Sequence, residues 1–273
     1  MQAAPIGVFD SGVGGLSVLR ALRALLPHED YVYLGDTARL PYGTKSAQSV
    51  VRYSLQCAAA LAAREIRCLV VACNTASASS LPALRERHAN LPVIGVIEPG
   101  AQAAVAASMS QRIAVIGTEG TIQGGAYQAA IARLHPGASV RAVACSLFVA
   151  LAEEGWTEGQ IPEAIARRYL NEVFADPREA PDTLVLGCTH FPALIEPIRA
   201  VLPAGVRIVD SAGTTAAAVR ELLPDAKQGG APGRVTLLAT DGAARFARVG
   251  SRFLGEALGA EAVEIVDLNQ PSA

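Results

Sequence analysis

The sequence is poor in aromatic residues, at 5%, and in charge, at 18%, with two methionines and one tryptophan among 273 residues. The little charge present is balanced: 23 basic side chains against 25 acidic ones leave a net −2. Without a basic excess the chain has no means of neutralising a phosphate backbone, which excludes nucleic acid as its main partner. Long hydrophobic runs are missing as well. Mean hydropathy is positive, at +0.31, but it comes from Ala and Val spread along the chain. Apolar stretches such as Val93 to Ile97 fall far short of the ~20 residues a membrane-spanning helix needs, so no membrane association is expected. Met1 to Pro5 carries neither a cationic segment nor an apolar stretch, so no secretory leader is expected and the chain reads as cytoplasmic.

Paired cysteines are also lacking. Cys57, Cys68, Cys73, Cys145 and Cys188 form an odd set with no C-x-x-C, in a chain too large to need disulfide staples. The four histidines, His28, His88, His135 and His190, keep neither i, i+4 nor H-x-E spacing, so no metal is expected. If the cysteines matter, they matter as thiols.

What the chain does have is aliphatic bulk: 51% of its residues are hydrophobic, and its length suits roughly two domains. Short β-branched runs alternate with amphipathic or Ala-rich stretches, the pattern of an α/β fold with parallel sheets covered by helices. Strands are expected at Ile6–Asp10, Tyr31–Gly35, Cys68–Ala72, Val93–Ile97, Ile113–Gly117, Val140–Ala144, Thr183–Gly187, Arg207–Asp210, Val235–Ala239 and Val263–Asp267. Helical patterns include Leu16–Leu26, Ala47–Arg64, Ile161–Phe174 and Thr215–Leu223.

Two pairs of segments look like copies. Ile6 to Ser11 parallels Ile113 to Thr118 at an offset of 107, and Leu69 to Thr75 parallels Leu184 to His190 at an offset of 115. Together and in the same order they suggest two similar halves, the second starting near Glu98-Pro99-Gly100, where Pro and Gly follow a strand.

Cys57, Cys68 and Cys145 read as small buried hydrophobes. Cys73 and Cys188 differ, because each ends an apolar strand and is followed by hydroxyl, amide or imidazole groups. Ligands of open parallel sheets bind beyond the carboxyl ends of the strands. A helix starting just past each thiol would favour the thiolate through its N–H groups and dipole. Two chemistries use two such thiols. One is disulfide exchange, although redox pairs normally lie close in sequence. The other is proton transfer at a carbon from both faces, which requires a base on one side and an acid on the other, exchanging roles in reverse.

Phe9-Asp10-Ser11-Gly12-Val13-Gly14-Gly15-Leu16-Ser17, Leu34 to Arg39, Leu40 to Ser46, Ala72-Cys73-Asn74-Thr75-Ala76-Ser77 and Gly187-Cys188-Thr189-His190-Phe191-Pro192 resemble, in order, the signatures of bacterial glutamate racemases. The resemblance runs from Ile6 to about Leu268. It implies a cofactor-independent isomerase that interconverts L- and D-glutamate and supplies the D-isomer to peptidoglycan. It also implies two pseudo-symmetric α/β domains facing each other across the active site. The first would comprise 1–97 plus 208–273 and the second 98–207. A homodimer is the family expectation, and with the first strand starting within six residues of Met1, the N-terminal extension of some relatives is not expected.

Carried over by position, Cys73 and Cys188 are the acid/base pair, and Asp10, Ser11, Tyr42, Gly43, Asn74, Thr75, Thr189 and His190 contact the substrate. Hydroxyls, amides and backbone N–H groups suit two carboxylates, and Asp10 suits an ammonium. Asp10 also fits helix N-capping, and Tyr42, between Pro41 and Gly43, fits a turn in which the backbone rather than the phenol matters. Supporting roles fall to Glu153, Asp36, Thr118 and Thr121. Glu153 matches an acidic residue that assists the second thiol, although Ser146 and Ala150 stand where the family often has Pro. Asp36 is either an assisting carboxylate or a strand-end cap. Thr118 and Thr121 occupy the place that the internal repeat gives to the counterpart of Ser11.

Other readings stay open. Gly12-Val13-Gly14-Gly15 imitates a dinucleotide fingerprint, with Asp36 as ribose partner, but Ser17 stands where the last Gly belongs. Gly43-Thr44-Lys45-Ser46 imitates a P-loop tail without its earlier Gly. Gln228 to Gly233 reads as a loop. A racemase for aspartate, and a non-catalytic amino-acid-binding or redox protein, remain as alternatives to the glutamate reading.

Overall fold

The computed structural model describes residues 4–268. Among them ten strands form two wholly parallel sheets. In chain order these are β1 (Ile6–Asp10), β2 (Tyr31–Gly35), β3 (Cys68–Val71), β4 (Val93–Gly95), β5 (Arg112–Gly117), β6 (Ser139–Ala144), β7 (Thr183–Gly187), β8 (Arg207–Asp210), β9 (Val235–Ala239) and β10 (Val263–Ile265). The first sheet runs β10-β9-β2-β1-β3-β4 and the second β6-β5-β7-β8. Central strands such as IGVFD, CLVV and TLVLG are buried along their whole length, as strands covered on both faces must be.

The order β2-β1-β3-β4 in one sheet matches β6-β5-β7-β8 in the other, so the internal repeat extends to topology: β1 corresponds to β5 and β3 to β7. In each sheet the chain turns to opposite sides of the first strand, and the crevice beyond the carboxyl ends at such a switch point is where ligands lodge. The loops after β1, β3, β5 and β7 open there.

Helices α1 (Leu16–Leu25), α2 (Ala47–Ala62), α3 (Asn74–Arg87), α4 (Ile97–Ala107), α5 (Glu119–Gln123), α6 (Ala126–Leu134), α7 (Leu147–Glu154), α8 (Gln160–Leu170), α9 (Ile195–Arg199), α10 (Ser211–Leu222) and α11 (Ala243–Leu254) cover the sheets. One apolar core joins both: Ile6 and Val8 of β1 share it with Ile113 and Val115 of β5, through Tyr127, Ala216 and Val219. Each sheet keeps a second core on its other face, built on Phe9 and Leu69 in one case and on Ile116 and Leu186 in the other.

One expectation about the halves is corrected. The strand Arg207–Asp210 pairs with β7, Leu184 opposite Ile208 and Leu186 opposite Asp210, so the return to the first sheet comes after Asp210 and not at 208. The ends of the expected first domain, residues 1–3 and 269–273, lie outside the described residues. Glu98-Pro99-Gly100 lies in the opening turn of α4, which follows β4 of the first sheet and packs on α6, β7 and β8 of the second half. A proline in the first turn of a helix gives up only an N–H that would have no partner there. Gly100 lets Tyr127 approach, since a Cβ would lie 3.2 Å from its hydroxyl.

Candidate active site

β3 delivers Cys73 to the amino end of α3. Its backbone is extended (φ −70°, ψ 123°), and its Sγ accepts the Ala76 N–H at 3.5 Å, so the thiol fills the capping position usually given to Ser or Asp. The Ser11 hydroxyl, from the loop after β1, lies 3.5 Å away. The helix terminus does not yield the thiolate anticipated from sequence. Burial, joined by the Asp10 carboxylate, pushes the Cys73 thiol up to about 12, against the Ala76 N–H and the Ser11 hydroxyl. Loss of hydration outweighs one amide and one hydroxyl.

The second thiol is held differently. No α-helix follows Cys188 directly; a 3-10 turn at Phe191–Leu194, with Pro192 near its start, leads to the single helical turn of α9. In place of a helix end, Cys188 has a side-chain relay. The His190 Nδ1 is 3.8 Å from its Sγ, and the His190 Nε2 is 3.1 Å from the Glu153 Oε1. Arg245 then holds the other Glu153 oxygen at 2.8 Å. Burial alone would lower the His190 imidazole, but the hydrogen bonds to Cys188 and Glu153 and the charges of Cys188 and Asp10 raise it to about 10. Glu153 is held below its ordinary range: burial raises it, and His190 and Arg245 more than reverse this. The two thiols are thus equivalent in the sheets and unlike in their partners, Cys73 with neutral donors and Cys188 with a charged imidazole backed by a carboxylate.

The raised imidazole has a consequence for stability. A His whose folded pKa of about 10 exceeds its ordinary 6.5 stabilises fully below 6.5, and the contribution fades as pH climbs through about 10. The thermal midpoint should therefore fall between pH 7 and 10, and Glu153→Gln, by removing the ion-pair partner, should make that fall shallower. Equal slopes in the two proteins would show that the pair does not set the His190 protonation state.

Both thiols face one small cavity of about 30 Å³, whose wall also includes Ser11, Gly43, Asn74, Thr75, Thr118, Thr189, His190 and Glu153. Most of the residues expected to contact a substrate are thus brought together. The Asn74 Oδ1 accepts the Tyr127 hydroxyl at 2.8 Å, and its buried Nδ2 is unpaired. Thr75 and Thr118, from opposite halves, join hydroxyls at 2.8 Å. Thr121 lies behind them, 3.2 Å from the Thr75 hydroxyl, and is not part of the wall. Gly43 presents backbone, and a Cβ there would fall 2.6 Å from that of Thr118. Asp10 is fully buried and accepts the Gly12 N–H at 2.9 Å. It therefore shapes the loop ahead of α1 instead of capping the helix, and its Oδ1 has no partner. Burial raises its pKa, with His190 and backbone N–H groups acting against it.

Asp10, like Thr121, is not part of the cavity wall, and Tyr42 and Asp36 lie elsewhere as well. The Tyr42 phenol turns from the cavity into the core and donates a short hydrogen bond to Asp36. Asp36 also takes the Arg39 Nε at 2.7 Å and the Thr240 hydroxyl at 3.0 Å. Asp36 thus fits the strand-end cap and not an assisting carboxylate on the cavity wall; this buried cluster at the end of β2 anchors the loop that brings Leu40, Pro41 and Gly43 to the cavity. A roomier cavity of about 550 Å³, lined by Arg39, Arg52, Tyr53 and Gln56 among others, includes neither Cys73 nor Cys188. Sequence reasoning missed Leu40, Pro41 and Val149 in the wall, and Arg245 behind it. The first two lie inside a motif already singled out. Arg245 gives no sequence signal, because its partner is 92 residues away.

The description of one protein family, Asp/Glu/Hydantoin racemase, matches residues 7–222. A glutamate racemase of Geobacter metallireducens is 51% identical over 262 residues, covering 93% of this chain and 94% of that protein. Among solved structures, a glutamate racemase of Francisella tularensis in complex with D-glutamate superposes with a TM-score of 0.90 at 34% identity, covering 98% of this chain and 99% of that one. A glutamate racemase of Bacillus anthracis does so with a TM-score of 0.91 at 35% identity and the same coverage.

Proposed function

The chain belongs to the Asp/Glu/Hydantoin racemase family, and on that premise we propose that it interconverts L- and D-glutamate without a cofactor, Cys73 and Cys188 working on opposite faces of the α-carbon. The observation that carries the reading is the placement of two thiols on one cavity, each beyond the carboxyl end of an equivalent strand of the two sheets. In one direction the thiolate of one cysteine takes the α-hydrogen as a proton, and the C–H electron pair stays on carbon, spread into the α-carboxylate. The S–H of the other cysteine then delivers its proton to the opposite face. The thiols end with protonation states exchanged, ready for the reverse reaction.

The wall supplies what this substrate needs. The Asn74 Nδ2, the hydroxyls of Ser11, Thr75, Thr118 and Thr189, and the backbone at Gly43 are donors for two carboxylates. Outside the wall, the unpaired Asp10 oxygen suits the ammonium. An arriving ammonium would offset the Asp10 charge that helps hold Cys73 protonated, so binding itself makes that thiolate more accessible. A cavity of about 30 Å³ has room for little more than water, so entry requires its walls to part, and the Thr75–Thr118 and Arg245–Glu153 hydrogen bonds join the two halves. The reaction belongs in the cytoplasm, where D-glutamate enters peptidoglycan synthesis; among the described residues no helix is long and apolar enough to cross a membrane.

Incubation with L-glutamate in deuterated water, with no added cofactor, should erase optical rotation and leave one deuterium at the α-carbon of the D-product. Faster turnover of L-aspartate would transfer the reading to that substrate, and inertness toward both would refute a racemase.

A further inference from the structure

We infer that Arg245 is a positioning residue for the Cys188 side of the reaction alone. The inference rests on the racemase reading above. α11 belongs to the first half: it packs on α1 and on the edge strand β10. Yet its polar edge reaches over to α7 of the second half at one point. The Arg245 guanidinium holds the Glu153 Oε2 at 2.8 Å, and the Arg252 Nη1 holds the Glu153 backbone oxygen at 2.9 Å. Phe253 sets its ring edge against His190, centroids 5.1 Å apart at 73°. One helix of the first half thus fixes the carboxylate, the end of α7 and the imidazole plane that serve the thiol of the second half.

A carboxylate with one oxygen on His190 has a free torsion until its other oxygen is held. Arg245 supplies that second point, so the Glu153 Oε1 stays 3.1 Å from the His190 Nε2 and the opposite nitrogen stays directed at Cys188. Charged and titratable groups facing His190 are Cys188, Glu153 and Asp10, and of these Arg245 touches only Glu153. Cys73, at the amino end of α3, has Ser11 and the Ala76 N–H as its hydrogen-bond partners and no bond to α11. The pair also ties the Cys188 arm to the seating of α11 on α7, so a half that moves outward to admit substrate loosens that arm as it goes.

The test exploits a symmetry. Enantiomers have equal free energy in water, so kcat/KM must be equal in both directions for any variant, and the loss of one arm shows instead in which proton transfer limits the rate. Arg245→Gln should lower kcat/KM by up to about fivefold, the worth of a partly exposed ion pair. With α-deuterated glutamate, the isotope effect on kcat/KM should rise for the enantiomer that Cys188 deprotonates and fall for the other. Arg245→Lys, which keeps the charge, should restore much of both; its thermal midpoint and isotope effects carry the test should Arg245→Gln fail to fold. Isotope effects in both directions equal to those of the unmodified enzyme, with activity merely reduced, would reduce Arg245 to a structural contact and overturn the inference. An unmodified enzyme inactive on glutamate would instead refute the underlying reading.

Discussion

Cys73→Ser and Cys188→Ser should each lower glutamate racemisation by about a thousandfold or more, in both directions. General acid–base groups contribute factors of this order, and a serine hydroxyl, far less acidic than a thiol, fails either as base or as its recycled partner. Burial aggravates the failure. Cys73 already stands at about 12, so its thiolate is a minority species that a hydroxyl in the same dry position could not match. Under the proposed two-base mechanism the loss is two-directional, because each turnover would use both residues, one as base and one as acid. Cys57→Ser is the control: its Sγ meets the Tyr42 hydroxyl at 3.8 Å, away from the cavity wall, and it should keep activity within about twofold. Polarimetry from each enantiomer decides the matter, and a single mutant at Cys73 or Cys188 that kept the full rate would rule out a two-base mechanism.

What made those two residues legible in the sequence was position relative to a strand. Apolar runs that end in a small residue and then a cysteine mark the carboxyl edge of a parallel sheet, and the matching order of β1 to β4 and β5 to β8 follows from the same repeat. What the sequence left hidden depends on packing between distant segments. Tyr42 stands one residue from Gly43, yet only the tertiary cluster with Asp36 and Arg39 decides that its phenol faces inward. The setting of Cys188 could not be inferred from that of Cys73, since Pro192 and a 3-10 turn replace the helix start and leave His190 and Glu153 as its partners. Strand Arg207–Asp210 reads the same whichever sheet it joins; the pairing of Leu184 with Ile208 is a property of the fold and not of its four residues.

The relay at Cys188 is also the part of the site most sensitive to displacement, and Gly14 exposes this. A Cβ on Gly14 would fall 2.6 Å from the Nδ1 and Cε1 of His190 and against the Thr189 hydroxyl, far inside ordinary contact distance. The imidazole has nowhere to retreat. Phe253 packs on it, Glu153 holds its Nε2 at 3.1 Å, and the ring is buried. Gly14→Ala must therefore move His190 off the line between Cys188 and Glu153, or shift the loop that also carries Ser11. Misplacement by about 1 Å costs roughly a hundredfold in rate, whereas the overpacking itself costs only about 1–3 kcal/mol of stability. The expected result is a protein that melts within several degrees of the unmodified chain and racemises glutamate about a hundredfold more slowly. Gly213→Ala provides the contrast: in α10 nothing lies within 4 Å of its new Cβ, so it should leave activity unchanged and, as alanine in a helix, stabilise slightly. Should Gly14→Ala melt normally and retain full activity, the imidazole would not need the position it holds, and the catalytic competence of Cys188 would have to come from another source than the His190–Glu153 arm.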